Sequence, residues 1–366
     1  MNIAIVTRSL TNVMGGMERQ LLSIATGFLD LGHNVTVISL DFAPAKPFFE
    51  SDPRIAYEGL AIGDSQIKAT INERFLRQKK VFQLLDSLEI DVALAFMTGS
   101  FWFTVIPAKL RRIPIILAER NGPSIYTRTK VRKMRHVIFA SMLLANAITV
   151  QFESYRKSYP FYLRKKIVSI PNKIPVFGEI DKNKKQNFTF LFAGRLSNQK
   201  QINELVRAFI EFHKRHSETR LEIYGTGEQA SNLEQLIEIN SAQSFVTMHA
   251  PIKEISLAMS EADVMIAPSL WEGFPNSVAE ALAHGVPVGG FFDCEGIRDL
   301  ISDGRNGWLI ERKDPVESLV ELLDTVYASR AQLDVFRKMA RISVKQFQNE
   351  GPDDQWNRII SALTQG

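Results

Sequence analysis

The sequence has very little cysteine and no stretch long enough to cross a membrane. Cys294 is the only cysteine in 366 residues, which excludes an intrachain disulfide and a multi-cysteine zinc site and suits a reducing compartment. The longest apolar run, residues 137–150, contains polar side chains and is shorter than the ~20 residues that a membrane helix needs. No basic region precedes the first apolar run, so the amino terminus predicts a strand rather than a signal peptide. We therefore expect a cytoplasmic protein without a transmembrane helix.

Two ligand-binding patterns are also missing. No Asp-x-Asp pattern occurs in the chain, and we expect neither a metal nor any other cofactor. The first predicted strand is followed by residues 9–16, which do not fit the G-x-G-x-x-G fingerprint of dinucleotide-binding proteins. This disfavours a nicotinamide-dependent oxidoreductase. A change in absorbance when the protein is mixed with a nicotinamide cofactor would support that function.

The net positive charge of the chain is small, but basic residues are concentrated in one window. The formal net charge is only +4. Residues 120–170 nevertheless hold eleven Lys and Arg and a single acid, Glu153, together with many aromatic and apolar side chains. One interpretation is a basic, aromatic face that lies on an anionic membrane surface. One alternative is a solvated basic surface above ordinary core residues. Another is a nucleic-acid binding surface, which is the weakest of the three because no nucleic-acid motif accompanies the charge. We expect this window to bind an anionic membrane surface and not to bind nucleic acid.

Strand and helix patterns alternate along the whole chain. Short apolar runs such as residues 3–6, 35–38 and 264–267 alternate with segments that have apolar side chains at helical spacing. This alternation predicts parallel sheets covered by helices on both faces. A polar, lysine-rich segment within residues 167–190 separates two α/β halves of similar size, and we place the domains at residues 1–172 and 173–349.

The most informative stretch runs from Pro268 to Val288. It begins where an apolar strand ends, contains Gly273 and Pro275 before a helical pattern, and offers Asn276 and Ser277 as capping side chains. The carboxyl end of a parallel strand is where open α/β sheets bind ligands, and a helix start attracts anions. Glu272 in the loop and Glu280 about one turn into the helix suit the vicinal hydroxyls of a sugar or ribose. The alternative is a helix start with two acids favoured by its dipole.

Five motifs in order make the sequence resemble the large retaining glycosyltransferase family 4. They are the E-x7-E pair Glu272 and Glu280 within EGFPNSVAEAL, Gly15-Gly16-Met17-Glu18, Ala193-Gly194-Arg195-Leu196 with Lys200, Tyr224-Gly225-Thr226-Gly227-Glu228, and Asp303-Gly304-Arg305-Asn306-Gly307. The resemblance covers the C-terminal half and is thinner in the N-terminal half. It implies the GT-B fold, an α/β architecture of two Rossmann-like domains whose parallel sheets face each other across a cleft. It also implies that residues 350–366 form a helix that packs back on the acceptor-side N-terminal domain.

The resemblance assigns roles to individual residues. Arg195 and Lys200 would bind the donor diphosphate and, with Glu272, form the catalytic set; the charge that builds on a departing diphosphate suits two cations. Glu280 would hold the ribose hydroxyls, and Glu272 with the backbone of residues 273–276 would hold the donor sugar. The implied donor-binding set is Gly16, Arg195, Lys200, Ile252, Glu272, Gly273, Phe274, Pro275, Asn276 and Glu280. For Ile252, a main-chain contact to the base and a plain packing position are alternatives.

Three positions depart from the family pattern. Glu119-Arg120 stands where many members have a Glu-His pair. A neutral imidazole therefore cannot assist catalysis at this position, and Glu119 and Arg120 are candidates for contact with the acceptor or with a phosphate. Gln201 follows Lys200 where glycine is common. Residues 294–299 replace a glycine-rich loop at the donor-sugar pocket.

The sequence thus favours an enzyme over a binding protein. We expect a retaining, metal-independent glycosyltransferase that moves a hexose or N-acetylhexosamine from a UDP-sugar to a glycan acceptor, such as a lipid-linked saccharide, at the inner face of the cell membrane. The resemblance is to bacterial enzymes that extend lipid-linked or surface glycans. It implies front-face attack in which the leaving diphosphate helps to take the acceptor proton. The alternative is a non-catalytic GT-B subunit that binds sugar nucleotide or lipid and supports a partner transferase.

Overall fold

A computed structural model describes residues 1–11, 16–42, 47, 49–63, 67, 69–178, 187–252, 255–348 and 351–364. The chain divides into two compact units. The described residues of Met1–Lys173 and Glu350–Gly366 form the first unit, and those of Ile174–Asn349 form the second. The sequence predicted a boundary after residue 172, and the N-terminal segment of the first unit ends at Lys173.

The two units contain the following elements. The strands are β1 (Asn2–Val6), β2 (Asn34–Ser39), β3 (Ala56–Gly59), β4 (Val92–Phe96), β5 (Ile115–Ala118), β6 (Ala147–Val150), β7 (Ile167–Ser169), β8 (Phe188–Ala193), β9 (Thr219–Tyr224), β10 (Val246–His249), β11 (Val264–Ala267), β12 (Val288–Phe291) and β13 (Gly307–Ile310). The α-helices are α1 (Gly16–Asp30), α2 (Ile71–Ser87), α3 (Thr98–Leu110), α4 (Ile125–Arg128), α5 (Arg135–Met142), α6 (Ile202–His213), α7 (Ala230–Ile239), α8 (Ser256–Glu261), α9 (Asn276–Ala283), α10 (Glu295–Leu300), α11 (Pro315–Ala328), α12 (Leu333–Val344) and α13 (Gly351–Thr364). Short 3-10 helices cover Lys130–Met134, Glu153–Ser158, Arg164–Lys166, Asn198–Lys200, Arg330–Gln332 and Lys345–Phe347.

The first unit is built on a seven-stranded parallel sheet in the order β3-β2-β1-β4-β5-β6-β7. Every residue of β4, β5 and β6 is buried. Parallel strands are covered by helices on both faces, which is why these strands consist of unbroken apolar runs rather than alternating ones. The strand order reverses direction between β1 and β4.

Helix α13 belongs to the core of the first unit. Trp356 is 1 % exposed and meets Phe28 of α1 edge to face, with ring centroids 6.2 Å apart. Asp353 forms an ion pair with Lys173 at 2.5 Å, and a Cβ at Gly27 would lie 2.7 Å from an Asp353 oxygen. The last helix is therefore anchored by an aromatic contact, an ion pair and a close approach to a glycine of α1.

The second unit is built on a six-stranded parallel sheet in the order β10-β9-β8-β11-β12-β13. Its core joins aromatic side chains of β8 and α6, where Phe190 packs edge to face on Phe209 and Phe212 at 5.7 and 5.6 Å. Helix α11 begins with Asp314 accepting hydrogen bonds from the amides of Val316 and Glu317. The order of this sheet reverses between β8 and β11.

The predicted fold class is confirmed: both units are α/β layers with parallel sheets. The strands predicted at residues 3–6, 35–38 and 264–267 are present with shifts of at most one residue at an end. Strands β3, β6 and β13 were not predicted. Within the described ranges, no helix combines the length and the apolar character needed to cross a bilayer.

Candidate functional site

The predicted donor residues follow the two strands at which the sheet order of the second unit reverses. Arg195 and Lys200 come after β8, and Glu272 comes after β11, its neighbour in the sheet. Ligands of open α/β sheets bind outside the carboxyl ends of such strands, because the chain leaves the two strands toward opposite faces and opens a crevice. The topology therefore gathers two cations and a carboxylate at one edge of the sheet.

Lys200 and Glu272 form a direct ion pair. Nζ lies 2.5 Å from Oε1, and the two side chains are 19 % and 10 % exposed. The backbone holds this pairing, since the Leu270 amide donates to the Gln199 carbonyl at 2.8 Å and Gln199 Nε2 donates to the Trp271 carbonyl at 2.7 Å. These bonds connect the turn that ends at Lys200 to the loop that carries Glu272. The residues assigned to the diphosphate and to the donor sugar are thus in contact.

A glycine turn after β9 fixes the segment that carries Arg195. A Cβ at Gly225 would lie 1.9 Å from the Gly194 carbonyl oxygen, so only glycine permits this approach. The Lys200 side chain passes the same segment, with Nζ 3.8 Å from the position of a Cβ at Gly194. The Arg195 side chain is exposed and makes no hydrogen bond or ion pair with the other residues that the structure describes. The edge of the sheet therefore presents one solvated cation close to one that is ion-paired.

The remainder of the loop packs into the second unit. Phe274 is buried and meets Phe347 edge to face, with ring centroids 5.6 Å apart. Helix α9 begins at Asn276, Pro275 precedes it, and no side chain caps this end. The predicted capping by Asn276 or Ser277 is wrong, because both residues lie inside the first turn rather than before it.

Glu280 lies one turn into α9, the helix that follows the Glu272 loop in the sequence, and it is 8 % exposed. Sequence reasoning missed the role of Gly296 at the start of α10. A Cβ there would lie 2.8 Å from the Gly273 carbonyl oxygen and 2.9 Å from Cβ of Glu272. Gly296 therefore permits α10 to pack against the Glu272 loop, and its place in the segment that departs from the family pattern was the available signal.

Two further predicted donor contacts lie on loop ends. Ile252 follows β10, and its side chain is 38 % exposed, so it is not a buried packing position. Gly16 is the first residue of α1 in the first unit. Its neighbour Gly15, the other half of the predicted glycine pair, lies outside the described residues.

Glu119 is completely buried after β5 and is held by four hydrogen bonds. Oε2 accepts from Thr98 Oγ1 at 2.5 Å and from the Tyr126 hydroxyl at 2.6 Å, and Oε1 accepts from N and Nδ2 of Asn121 at 3.0 and 2.9 Å. Burial, and then the charge of Glu119, raise the pKa of Tyr126, so this hydroxyl keeps the proton that it donates. Glu119 therefore organises the loops after β4 and β5.

Arg120 is buried beneath the C-terminal helix. Nη2 donates to Thr149 Oγ1 at 2.6 Å and Nη1 donates to the Ile170 carbonyl at 3.3 Å, while the guanidinium lies 5.4 Å from the Trp356 ring centroid. Burial lowers the pKa of Arg120 to about 10. Contact of Glu119 or Arg120 with an acceptor or a phosphate stays a prediction, and in this geometry it would require these hydrogen bonds to be exchanged.

Two residues outside the predicted set also bear on the chemistry of this edge. Cys294 is fully buried, and burial, followed by the charge of Glu272, raises the pKa of its thiol. Arg312, two residues beyond β13, bonds to the loop after β11, and sequence reasoning missed it, because the short, half-buried strand before it was not predicted either. Among the described residues, no group of three or more His, Cys, Asp or Glu side chains is placed to hold a metal ion.

Sequence comparison places this site within a known class of domain. Residues 187–329, which include Arg195, Lys200, Glu272 and Glu280, match the family described as "Glycosyl transferases group 1". The chain is 23 % identical over 347 residues to an "Uncharacterized glycosyltransferase" of Haemophilus influenzae, covering 94 % of this chain and 96 % of that protein. It is 26 % identical to the "Alpha-monoglucosyldiacylglycerol synthase" of Acholeplasma laidlawii, covering 96 % and 94 %. Two longer relatives are matched over only 40 % and 38 % of their length.

Structural comparison extends the similarity to both units. The crystal structure of the pneumococcal O-GlcNAc transferase GtfA in complex with UDP and GlcNAc superposes with a TM-score of 0.78 at 15 % identity, covering 99 % of each chain. At that identity the likeness concerns the fold alone. Residues 187–329 thus match the group 1 glycosyltransferase family, and the chain that carries them is a glycosyltransferase with a GT-B type fold.

Proposed function

We propose that the protein is a retaining, metal-independent glycosyltransferase that moves a hexose or N-acetylhexosamine from a UDP-sugar to a glycan acceptor, such as a lipid-linked saccharide, at the inner face of the cell membrane. The observation that carries the proposal is the Lys200–Glu272 ion pair at the carboxyl edge of β8 and β11. It joins the segment suited to a diphosphate to the loop suited to a sugar, inside the domain that matches group 1 glycosyltransferases.

Arg195 and Lys200 supply the charge that this reaction needs. When the bond between the sugar and the diphosphate breaks, negative charge builds on the leaving nucleoside diphosphate, and two placed cations stabilise it without a metal. Arg195 is solvent-exposed and can turn toward a ligand, whereas Lys200 is held by Glu272. Glu272 and Glu280 are nearly buried carboxylates that can accept hydrogen bonds from sugar and ribose hydroxyls.

Experiments on the purified protein test the identity of the nucleotide and the stereochemistry of sugar transfer. We expect UDP to raise the unfolding temperature more than GDP or ADP; at 100 times its Kd a ligand adds about 2.7 kcal/mol of stability. NMR of the product anomer should show the configuration of the donor. Arg195→Ala should lower the rate of transfer by about 10²–10³-fold, the scale for losing one placed donor. An inverted product, or activity that EDTA abolishes and Mn²⁺ restores, would contradict the proposal.

The membrane part of the proposal rests on exposed side chains of the first unit. Of the cations in the basic window, five are exposed and make no side-chain hydrogen bond with other described residues: Lys130, Arg132, Lys133, Lys157 and Lys165. Phe161 is 80 % exposed on the same segment as Lys157 and Lys165. Tyr126, Phe139 and Tyr159 instead form a buried aromatic cluster, so they fill the core and cannot insert into lipid. Basic and apolar groups together suit an anionic lipid surface.

The choice of variant follows from which cations hold the fold. Arg164 donates to the carbonyls of Tyr159 and Lys157, so reversing its charge would disturb the segment itself. Arg132 and Lys165 are exposed and lack such bonds within the described part of the chain, and R132E/K165E is the test. Each cation near an anionic surface contributes about 1 kcal/mol, so losing two should weaken vesicle binding by roughly 30-fold, and the two introduced carboxylates should weaken it further.

A matched control lies on α2. R74E/K79E also reverses one exposed Arg and one exposed Lys of the first unit, but outside the basic window. Cosedimentation with vesicles of anionic phospholipid at low salt should weaken for R132E/K165E and change little for the control. Equal binding by both variants and the wild type would remove the membrane part of the proposal and leave the donor chemistry standing.

A further inference from the structure

We propose that Arg312 is a positioning residue for the donor site, and that it acts together with Gln201. The proposal rests on the function proposed above, and it concerns how Lys200 and the Glu272 loop are kept in register. Arg312 acts on the backbone segments that carry these two side chains.

The guanidinium of Arg312 reaches segments that follow three other strands. Nη2 donates to the Ser269 carbonyl at 2.7 Å and Nη1 donates to the Pro268 carbonyl at 3.2 Å, both in the loop after β11. Nη1 also donates to Gln201 Oε1, beyond β8, and Nε donates to Asp293 Oδ1 at 3.1 Å, beyond β12. Since Arg312 itself lies beyond β13, one side chain links the carboxyl ends of four neighbouring strands.

Two properties make this link rigid. The side chain of Arg312 is 9 % exposed, and its guanidinium carbon lies over the Phe291 ring, 3.7 Å from the ring centroid. A guanidinium is planar and presents its donors in a fixed fork, so the positions of its acceptors are set relative to one another. A lysine at this place would provide charge without that geometry.

Gln201 explains why the link reaches Lys200. It has φ +48°, ψ +41°, a left-handed conformation that glycine adopts without strain and that a residue with a Cβ adopts at a cost. Glycine is common at this position in the family that the sequence resembles. Here a glutamine takes the same conformation, and its side-chain oxygen accepts the Arg312 hydrogen bond. The bond fixes the turn directly after Lys200, which compensates for the missing glycine.

The kinetic expectation follows from the acceptors of these hydrogen bonds, which include carbonyls of the loop after β11 and the side chain of Gln201. Removing the fork leaves Arg195, Lys200, Glu272 and Glu280 in place chemically, so ground-state binding of the donor is largely retained. The alignment of Lys200 with the Glu272 loop is lost, and misplacement of reacting groups by a distant substitution costs up to 10²-fold in rate. For R312K we expect kcat to fall by about 10–100-fold while the KM for the donor changes by less than about threefold.

The test combines R312K with two variants that spare the arginine. D293N removes the charge of one acceptor of the guanidinium but keeps an amide oxygen there, so it should lower kcat less than R312K does; this keeps the proposal testable if R312K folds poorly. Q201G should fold as well as the wild type, because glycine accepts the left-handed turn. In the Q201G background, R312K should lose less kcat than in the wild type, since one of its links is already gone.

Arg337 provides the matched control. It is also a partly buried, ion-paired arginine of the second unit, bonded to Asp263 at 2.8 Å, but it lies at the amino-terminal edge of the sheet, since Asp263 precedes β11. R337K should lower the unfolding temperature without lowering kcat below that temperature.

The outcomes separate the two proposals. If the wild type transfers sugar and folded R312K and D293N keep its kcat, or if R337K lowers kcat as much as R312K, the positioning role is wrong and the proposed function stands. If the wild type neither binds UDP nor turns over any nucleotide sugar, the proposed function is wrong and the inference falls with it.

Discussion

Replacing Lys200 with methionine is the most informative single perturbation of the donor site. Methionine keeps the unbranched side chain up to the fourth heavy atom and removes the ammonium group with its charge. In K200M, the carboxylate of Glu272, whose side chain is 10 % exposed, stays where it is without its cation. Two quantities should therefore change for different reasons: the free energy of unfolding and the rate of transfer.

The magnitude of the stability loss follows from burial. Breaking a buried ion pair by removing one partner costs about 3–5 kcal/mol, because the remaining charge is desolvated without compensation. Lys200 is 19 % exposed, so some water reaches the pair and we expect about 3 kcal/mol. E272Q should cost less, since the ammonium left behind is the more exposed partner. In K200M/E272Q no charge is stranded, and the free energy of unfolding should return to within about 1 kcal/mol of the wild type.

The rate of transfer should not recover with the stability. Lys200 stabilises the leaving diphosphate in the proposed reaction, so K200M should lose about 10²–10³-fold in kcat, and the double variant should lose at least as much. Urea unfolding of all four proteins, with initial rates at saturating donor, completes the cycle. A double variant that regains both stability and rate would reduce Lys200 to a structural partner of Glu272. A K200M protein as stable as the wild type would refute the energetic reasoning.

Three further predictions concern the rest of the molecule. W356A should lower the free energy of unfolding by about 3–5 kcal/mol in urea, because the ring fills the core between α1 and α13, whereas V335A at an exposed position should change it by less than about 0.5 kcal/mol. Burial lowers the pKa of His213, so the unfolded chain takes up the proton first and the free energy of unfolding should fall as the pH drops below about 6.5. H213F keeps the ring stack on Phe245 and should make the free energy of unfolding depend less on pH in this range. Parallel pH profiles of the variant and the wild type would contradict this. Cys294 should resist thiol reagents in the folded protein and react in urea, and rapid labelling without denaturant would show that it is accessible.

Several features of the fold could be predicted because the information is local. The apolar run that became β11 and the amphipathic repeat that became α6 are visible in consecutive residues, because side-chain periodicity reports which face is buried. Strand β6 was not predicted because its local pattern is ambiguous. It lies in one apolar run with α5, and a short apolar stretch is equally compatible with a helix and a strand. Strand β3 is only four residues long and partly exposed, so it gives little periodic signal.

The class of fold and the residue types of the proposed donor site could be inferred from the amino-acid order alone. Which of those side chains meet depends on how the chain folds. Lys200 and Glu272 are separated by 72 residues, and Arg312 and Gln201 by 111, so no local pattern records either contact. The same holds for the basic window, where Arg164 and Lys166 are used to bond backbone carbonyls while Arg132 and Lys165 stay exposed. Periodicity fixes the face on which a residue lies, whereas the partner on that face depends on how distant strands are ordered in the sheet.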